Sequence, residues 1–186
     1  MTNETQKQSA FNPYEAPGSA VADADAQTDQ PAFFPVTRFK LIVMSLASAG
    51  FYEIYWFYKN WRCVETREKI NVPVRTAFFP FVAYSLFTKV QKVAMEVQAV
   101  SVPGPGVLAF LVFVLALCGG LPDPYWMVGL GSFLPLLPVQ TTIIEINRRV
   151  APQADRNGNF TWANFVWMAV GGLVYLGVFG EMLFKT

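Results

Sequence analysis

The sequence predicts an all-α integral membrane helical bundle, with about four transmembrane helices, an interfacial amphipathic helix and a disordered N-terminal tail. Three observations carry this expectation. Of the 186 residues, 53% are hydrophobic and only 15% charged, whereas soluble domains carry roughly 25% charged residues. The charges avoid long stretches of the chain, and the run from Pro105 to Leu121 contains none. Aromatic residues, 16% of the total, gather at the edges of the apolar runs, where Tyr and Trp collect at membrane–water boundaries. Backbone in hydrocarbon has no water to bond, so such runs fold as helices.

Residues 1–35 form an acidic tail, with Lys7 against Glu4, Glu15, Asp23, Asp25 and Asp29. A segment with no apolar run cannot bury enough surface to offset its ordering entropy, so disorder is expected. It has neither the basic start nor the apolar core of a secretory signal. Within it, Phe11-Asn12-Pro13-Tyr14-Glu15-Ala16-Pro17 reads as a linker turn, or else as a short docking peptide held extended by its prolines.

Residues 36–186 hold the membrane domain. Segment 41–58 is long enough to span, but Ser45, Ser48 and Gly50 weaken its middle and Glu53 lies inside it. It is either a plain span, the preferred reading, or a re-entrant pair of half-helices broken at Gly50. Segment 76–102 starts apolar and turns amphipathic. Leu86, Val90, Val93, Val97 and Val100 recur at helical spacing opposite Lys89, Lys92 and Glu96, which predicts an interfacial helix whose start dips into the bilayer. Segments 105–121, 125–146 and 161–184 are plain spans by the criterion of about 20 apolar residues for about 30 Å of hydrocarbon. The turn Gly119-Gly120-Leu121-Pro122-Asp123-Pro124 joins the first two as an antiparallel hairpin. Pro135 and Pro138 should bend the second. Gly171, Gly172, Gly177 and Gly180 predict close packing along the third.

Orientation follows the basic residues. Loop 59–75 carries Lys59, Arg62, Arg67, Lys69 and Arg75, loop 147–160 carries Arg148, Arg149 and Arg156, and the 119–124 turn carries no basic residue. The two loops belong inside and the turn outside. The side of the tail depends on whether 41–58 spans. Tyr55, Trp56, Tyr58, Trp61, Tyr125, Trp126 and Trp162 lie near expected boundaries and are assigned as membrane-interface anchors.

The run Gly50-Phe51-Tyr52-Glu53-Ile54-Tyr55-Trp56-Phe57-Tyr58-Lys59-Asn60-Trp61, followed by Pro73, Arg75, Phe78 and Phe79, resembles an uncharacterised family of small bacterial multi-pass membrane proteins, catalogued as a domain of unknown function. The similarity covers residues 36 to 100, and more loosely Gln140–Asn147 and Phe160-Thr161-Trp162. The resemblance implies a multi-pass protein of the bacterial cytoplasmic membrane and carries no activity, cofactor or catalytic residue with it.

There is no histidine, which removes His-based triads and His-ligated metals or haem. Cys63 and Cys118 are expected as free thiols, with Arg62 and Arg67 placed to lower the Cys63 pKa. No phosphate loop, Cys-x-x-Cys pair or nucleophile elbow is present, so no enzyme activity, cofactor or metal is expected. The net charge of +1 gives no field for nucleic acid.

Ionisable groups within membrane segments are functional candidates, and a polar site is drawn from Glu53, Gln140, Glu145 and Asn147. For Glu53 the alternative, which the spacing favours, is a structural pair with Lys59 or Arg62. For Glu145 it is a pair with Arg149 one turn away, with Gln140 and Thr141 bonding neighbouring helices. Glu96 is expected on a solvated face and Glu181 near the outer end of its span. The expected role is a non-catalytic interaction or accessory component, its partners the lipid bilayer and another membrane protein or a second copy. The alternative is a small transporter or channel using the intramembrane carboxylates.

Overall fold

The computed structural model describes residues 30–184, the side chains of 181–184 excepted. The tail up to residue 29, including Phe11–Pro17, and the Glu181 side chain lie outside the described residues. Those described are all-helical, with no strand.

Residues 31–35 correct the expected tail. Ala32, Phe33, Phe34 and Val36 are buried, so the chain enters the fold as a non-helical strap, bent at Ala32 and Phe33, whose apolar side chains join the core. Helix α1, Arg38–Ala47, begins where the Thr37 hydroxyl accepts the Lys40 N–H.

Segment 41–58 is not one helix. After Ala47 the backbone turns at Ala49 (φ +51°) and Gly50 (φ +87°), and the Gly50 N–H bonds the Ser45 carbonyl at 2.8 Å, closing α1 as a Schellman motif. Helix α2, Phe51–Glu65, then starts afresh, and the buried Ser48 hydroxyl accepts the Tyr52 N–H at 2.9 Å. A single span would sacrifice that cap and require helical angles at Gly50.

Tertiary bonds place both ends of this hairpin together. Lys40 Nζ donates to Asn157 Oδ1 at 2.8 Å and to the Asn159 carbonyl at 2.6 Å, tying the start of α1 to the loop before α7. Arg67, just past α2, donates to the Ala32 carbonyl. The segment is therefore two helices broken at Ser48–Gly50, as the half-helix alternative expected, and not one continuous helix. Ten residues at 1.5 Å rise make α1 about 15 Å long, half the thickness of a bilayer core.

Helix α3, Val72–Ala77, is capped by the Asn71 side chain and carries Pro73 in its first turn. A break at Phe78 precedes α4, Phe79–Glu96. Segment 76–102 is thus interrupted near its start and stops being helical at Val97. Of its expected apolar stripe, Leu86 and Val90 are buried, Val93 and Val97 pack against the core, and Val100 is exposed. The Phe57 ring lies 5.0 Å from Phe79 and 6.3 Å from Phe87, seating α4 on α2. Lys89 donates to both oxygens of Glu68 at 2.6 and 2.7 Å, which holds that carboxyl below its ordinary pKa.

Helix α5, Pro105–Cys118, packs on α4 with Phe113 against Phe81. Its 14 residues reach about 21 Å, short of a 30 Å core. After the 119–124 turn the chain forms a 3₁₀ stretch, Tyr125–Phe133, then α6, Leu136–Val150. The change of helix type falls at Pro135, where the missing N–H allows it. A Cβ on Gly129 would sit 2.7 Å from the Gly119 nitrogen, so the two arms of this hairpin meet backbone to backbone. Helix α7, Trp162–Phe184, closes the described chain.

Among the described residues two helices, Tyr125–Val150 and Trp162–Gly180, are long and apolar enough to cross a membrane. Helix α7 meets the rest of the fold chiefly at α1, where Gly171 lies against the Ala47 carbonyl and Ser48 and the Tyr175 hydroxyl donates to the Leu46 carbonyl at 2.7 Å. Of the glycines expected to pack, Gly171 does so; a Cβ on Gly172, Gly177 or Gly180 would meet nothing within 4 Å.

Candidate functional site

The four polar residues singled out in the sequence do not form one site. Two of them, Asn147 and Gln140, are committed to the fold, together with Asn60. Asn147, buried near the end of α6, accepts the Phe33 N–H at 3.1 Å and donates to the Phe33 carbonyl at 2.8 Å. One side-chain amide thereby satisfies both polar groups of a strap residue, as a neighbouring β-strand would. Gln140 donates to the Val36 carbonyl at 2.8 Å and accepts from Trp56 Nε1 at 2.7 Å. Asn60 accepts the Phe34 N–H at 3.2 Å and donates to the Trp56 carbonyl at 2.9 Å. The polar stripe of α6 is thus a set of clamps on the non-helical strap.

Glu145 stands as the paired alternative expected, bonded to Arg148 at 2.6 Å and Arg149 at 3.1 Å. Both arginines are well exposed, and such pairs contribute little. Glu145→Gln should lower stability by less than about 1 kcal/mol, read as a near-unchanged melting temperature in mild detergent.

Glu53 behaves differently. It is 2% exposed, and its Oε1 accepts from Ser132 Oγ at 2.9 Å. The expected pair with Lys59 or Arg62 does not form. Arg62 bonds Glu65 at 3.0 Å, and Lys59 lies 5.6 Å from the centre of the Phe34 ring. Among the described residues no cation bridges Glu53. Its position in the first turn of α2 would suit a capping box, but the Gly50 N–H that such a carboxylate would accept is already given to Ser45.

Glu53 lines a cleft of about 690 Å³ between the α1–α2 tip, the end of α5, the 3₁₀ stretch and α7. Its walls are mostly apolar, including Phe51, Phe79, Leu115, Leu130 and Leu173, and among the described residues no lysine or arginine lines it. The other charged lining residue is Asp123, which accepts from Trp126 Nε1 at 2.7 Å. The arrangement is an apolar chamber with one buried acid, suited to a proton or a cation rather than an anion.

The aromatic anchors divide. Tyr125, Trp162 and Tyr58 are exposed, Trp126 and Tyr55 are half-buried, and Trp56 and Trp61 are fully buried. The last two are core residues and not interface anchors: Trp56 bonds Gln140, and the Arg75 guanidinium lies 4.6 Å over the Trp61 ring. Cys63 and Cys118 are both free. Burial pushes the Cys63 thiol pKa up and outweighs the opposing pull of Lys59 and Arg67, the reverse of the expected direction.

Ser48, Asn60, Ser132 and the strap were not singled out in the sequence. Phe33-Phe34-Pro35-Val36, an apolar run ending a polar tail, was the one signal available for the strap. Ser132 sits in Gly-Leu-Gly-Ser-Phe with nothing local to relate it to Glu53. Comparison with family models, with curated proteins and with solved structures finds no match for this chain.

Proposed function

We propose that this chain is a multi-pass protein of the bacterial cytoplasmic membrane that works by interaction and not by catalysis. The observation that carries the reading is α7: across Trp162–Gly180 only 11% of residues are buried, with Leu173 and Leu176 at least 70% exposed. An uncovered apolar helix of this length needs lipid or another protein around it. Helix α5 supports the same environment through exposed Val107, Phe110 and Leu117. In this reading the Tyr125–Val150 arm and α7 cross the bilayer, α5 crosses only together with the uncharged Gly119–Leu121 that extends it, and α1–α2 and α3–α4 enter and return on the cytoplasmic side. Three crossings thus replace the four expected. The basic residues Arg67, Lys89, Arg148 and Arg149 then share that side, in keeping with the positive-inside rule, and residue 30 enters from it.

A photo-crosslinking residue at Leu176, used in native membranes, tests the interaction role. Capture of one different protein at near-stoichiometric yield is the expected result, and adducts to lipid alone would overturn the accessory role while leaving the membrane assignment intact. A small transporter or channel is the second reading, which the unpaired Glu53 favours. Gln140, Glu145 and Asn147 do not favour it, because Gln140 and Asn147 are bonded to the strap and Glu145 is paired with Arg148 and Arg149 on its own helix.

A further inference from the structure

We propose that the cleft beside Glu53 is a binding site for a lipophilic monovalent cation, an organic ammonium or phosphonium with an apolar body. This goes beyond the interaction role and supplies a ligand class to the transporter reading. Three features of the cleft point to that chemistry.

The first is charge. A carboxylate taken out of water without a cation partner is costly, and Glu53 has Ser132 as its hydrogen-bond partner and, among the described residues, no basic residue in the cleft. A ligand of positive charge restores the missing counter-ion. Asp123 lies at the same cleft and adds attraction for a cation as it enters.

The second is the scarcity of oxygen. A hard metal ion such as calcium takes 6–8 oxygen ligands, whereas the lining side chains bring oxygens only at Glu53, Ser132 and Asp123. Among the described residues no cluster of three metal-ligating side chains exists. The walls instead offer Leu115, Leu130 and Leu173 for an apolar body and Phe51, Phe79 and Trp126 for rings that attract cations.

The third is size and access. About 690 Å³ falls in the range of small-molecule sites and far exceeds a bare ion. The α7 wall of the cleft includes Leu173 and Val174, both exposed, so the cleft borders the face that meets lipid, and a ligand dissolved in the bilayer enters it sideways by displacing Leu173 from over the carboxyl group.

The test uses the full chain purified in mild detergent, with tetraphenylphosphonium as the probe and triphenylphosphine oxide as its neutral counterpart. Saturable phosphonium binding is expected, weakened about tenfold or more in Glu53→Gln, while the neutral compound binds both proteins weakly and alike. Gln retains an oxygen for Ser132, so circular dichroism should show the variant folded. Equal phosphonium binding by both proteins would reduce the cleft to a greasy surface and overturn the proposal, as would the absence of saturable binding to the unaltered chain. Should Glu53→Gln fail to fold, Leu173→Trp keeps the acid and fills the entrance. Loss of binding in that variant supports the site and unchanged binding overturns it. No gradient is involved, so a negative flux assay counts against transport alone, and a negative Leu176 crosslink against the protein partner alone.

Discussion

Asn147→Ala should release the N-terminal strap and cost about 2–6 kcal/mol, the sum of two buried backbone groups left without partners at about 1–3 kcal/mol each. The Phe33 N–H and C=O are both bonded to this one amide, and Phe33 is 1% exposed, so water cannot replace it without opening the core. Asn147→Asp should be no better, because a carboxylate accepts the N–H but cannot donate to the carbonyl and adds a buried charge. The measurement is limited chymotrypsin digestion in mild detergent alongside thermal unfolding. Cleavage after Phe33 should become fast in the variant while helix content is retained, the Phe34–Pro35 bond being resistant to this protease. A melting temperature within a degree of the unaltered protein, with Phe33 still protected, would show that Asn147 does not clamp the strap.

Gly171→Ala should undock α7, whereas Gly172→Ala, one residue on, should be harmless. A Cβ at residue 171 would overlap the Ala47 carbonyl oxygen and lie 2.5 Å from the Ser48 Cα. Both obstacles are backbone and cannot rotate away. Such overpacking costs about 1–3 kcal/mol or more, and a shift of α7 also breaks the Tyr175–Leu46 bond. At residue 172 the new methyl meets nothing and improves helix propensity, by up to about 1 kcal/mol in an aqueous helix. Thermal unfolding of the two variants side by side gives opposite signs if α1 and α7 cross at Gly171. Equal effects would sink that crossing.

The α1–α2 tip links these two results to the Glu53 cleft. Ser48 caps α2 through its hydroxyl, touches Gly171 through its backbone, and precedes the turn that aims Glu53 at Ser132. The strap clamps the other end of the same hairpin through Gln140 and Asn60. The cleft is therefore shaped by a hairpin held at its tip by α7 and at its base by the strap. Loosening either end should be felt at Glu53, a coupling that runs through packed elements and explicit bonds.

What the sequence by itself determined was the helical class, the segregation of the basic residues, and the approximate extents of the apolar segments. Hydropathy and helical spacing are local properties, and 105–121, 125–146 and 161–184 sit close to α5, the 3₁₀–α6 arm and α7 for that reason. The pairing of Glu145 with Arg149 was equally legible, because both partners lie on one helix face. The tertiary structure alone decided the rest. Whether Gly50 broke the chain depended on Ser48 capping α2 and on α7 pressing against the turn, and neither follows from the 41–58 run. Trp56 and Trp61 look like interface residues in any local window, yet both are buried, Trp56 bonded to Gln140 of α6 and Trp61 beneath Arg75 of α3, partners that lie outside that window. Gln140 and Asn147 read as a polar site until their partners, 104 and 114 residues away, prove to be main-chain groups. Glu53 was the reverse case: its near neighbours Lys59 and Arg62 suggested a pair, but the helix break turned its side chain toward Ser132, 79 residues distant. Hydrogen bonds and counter-charges are satisfied in space, and a sequence records only the order of the groups that need them.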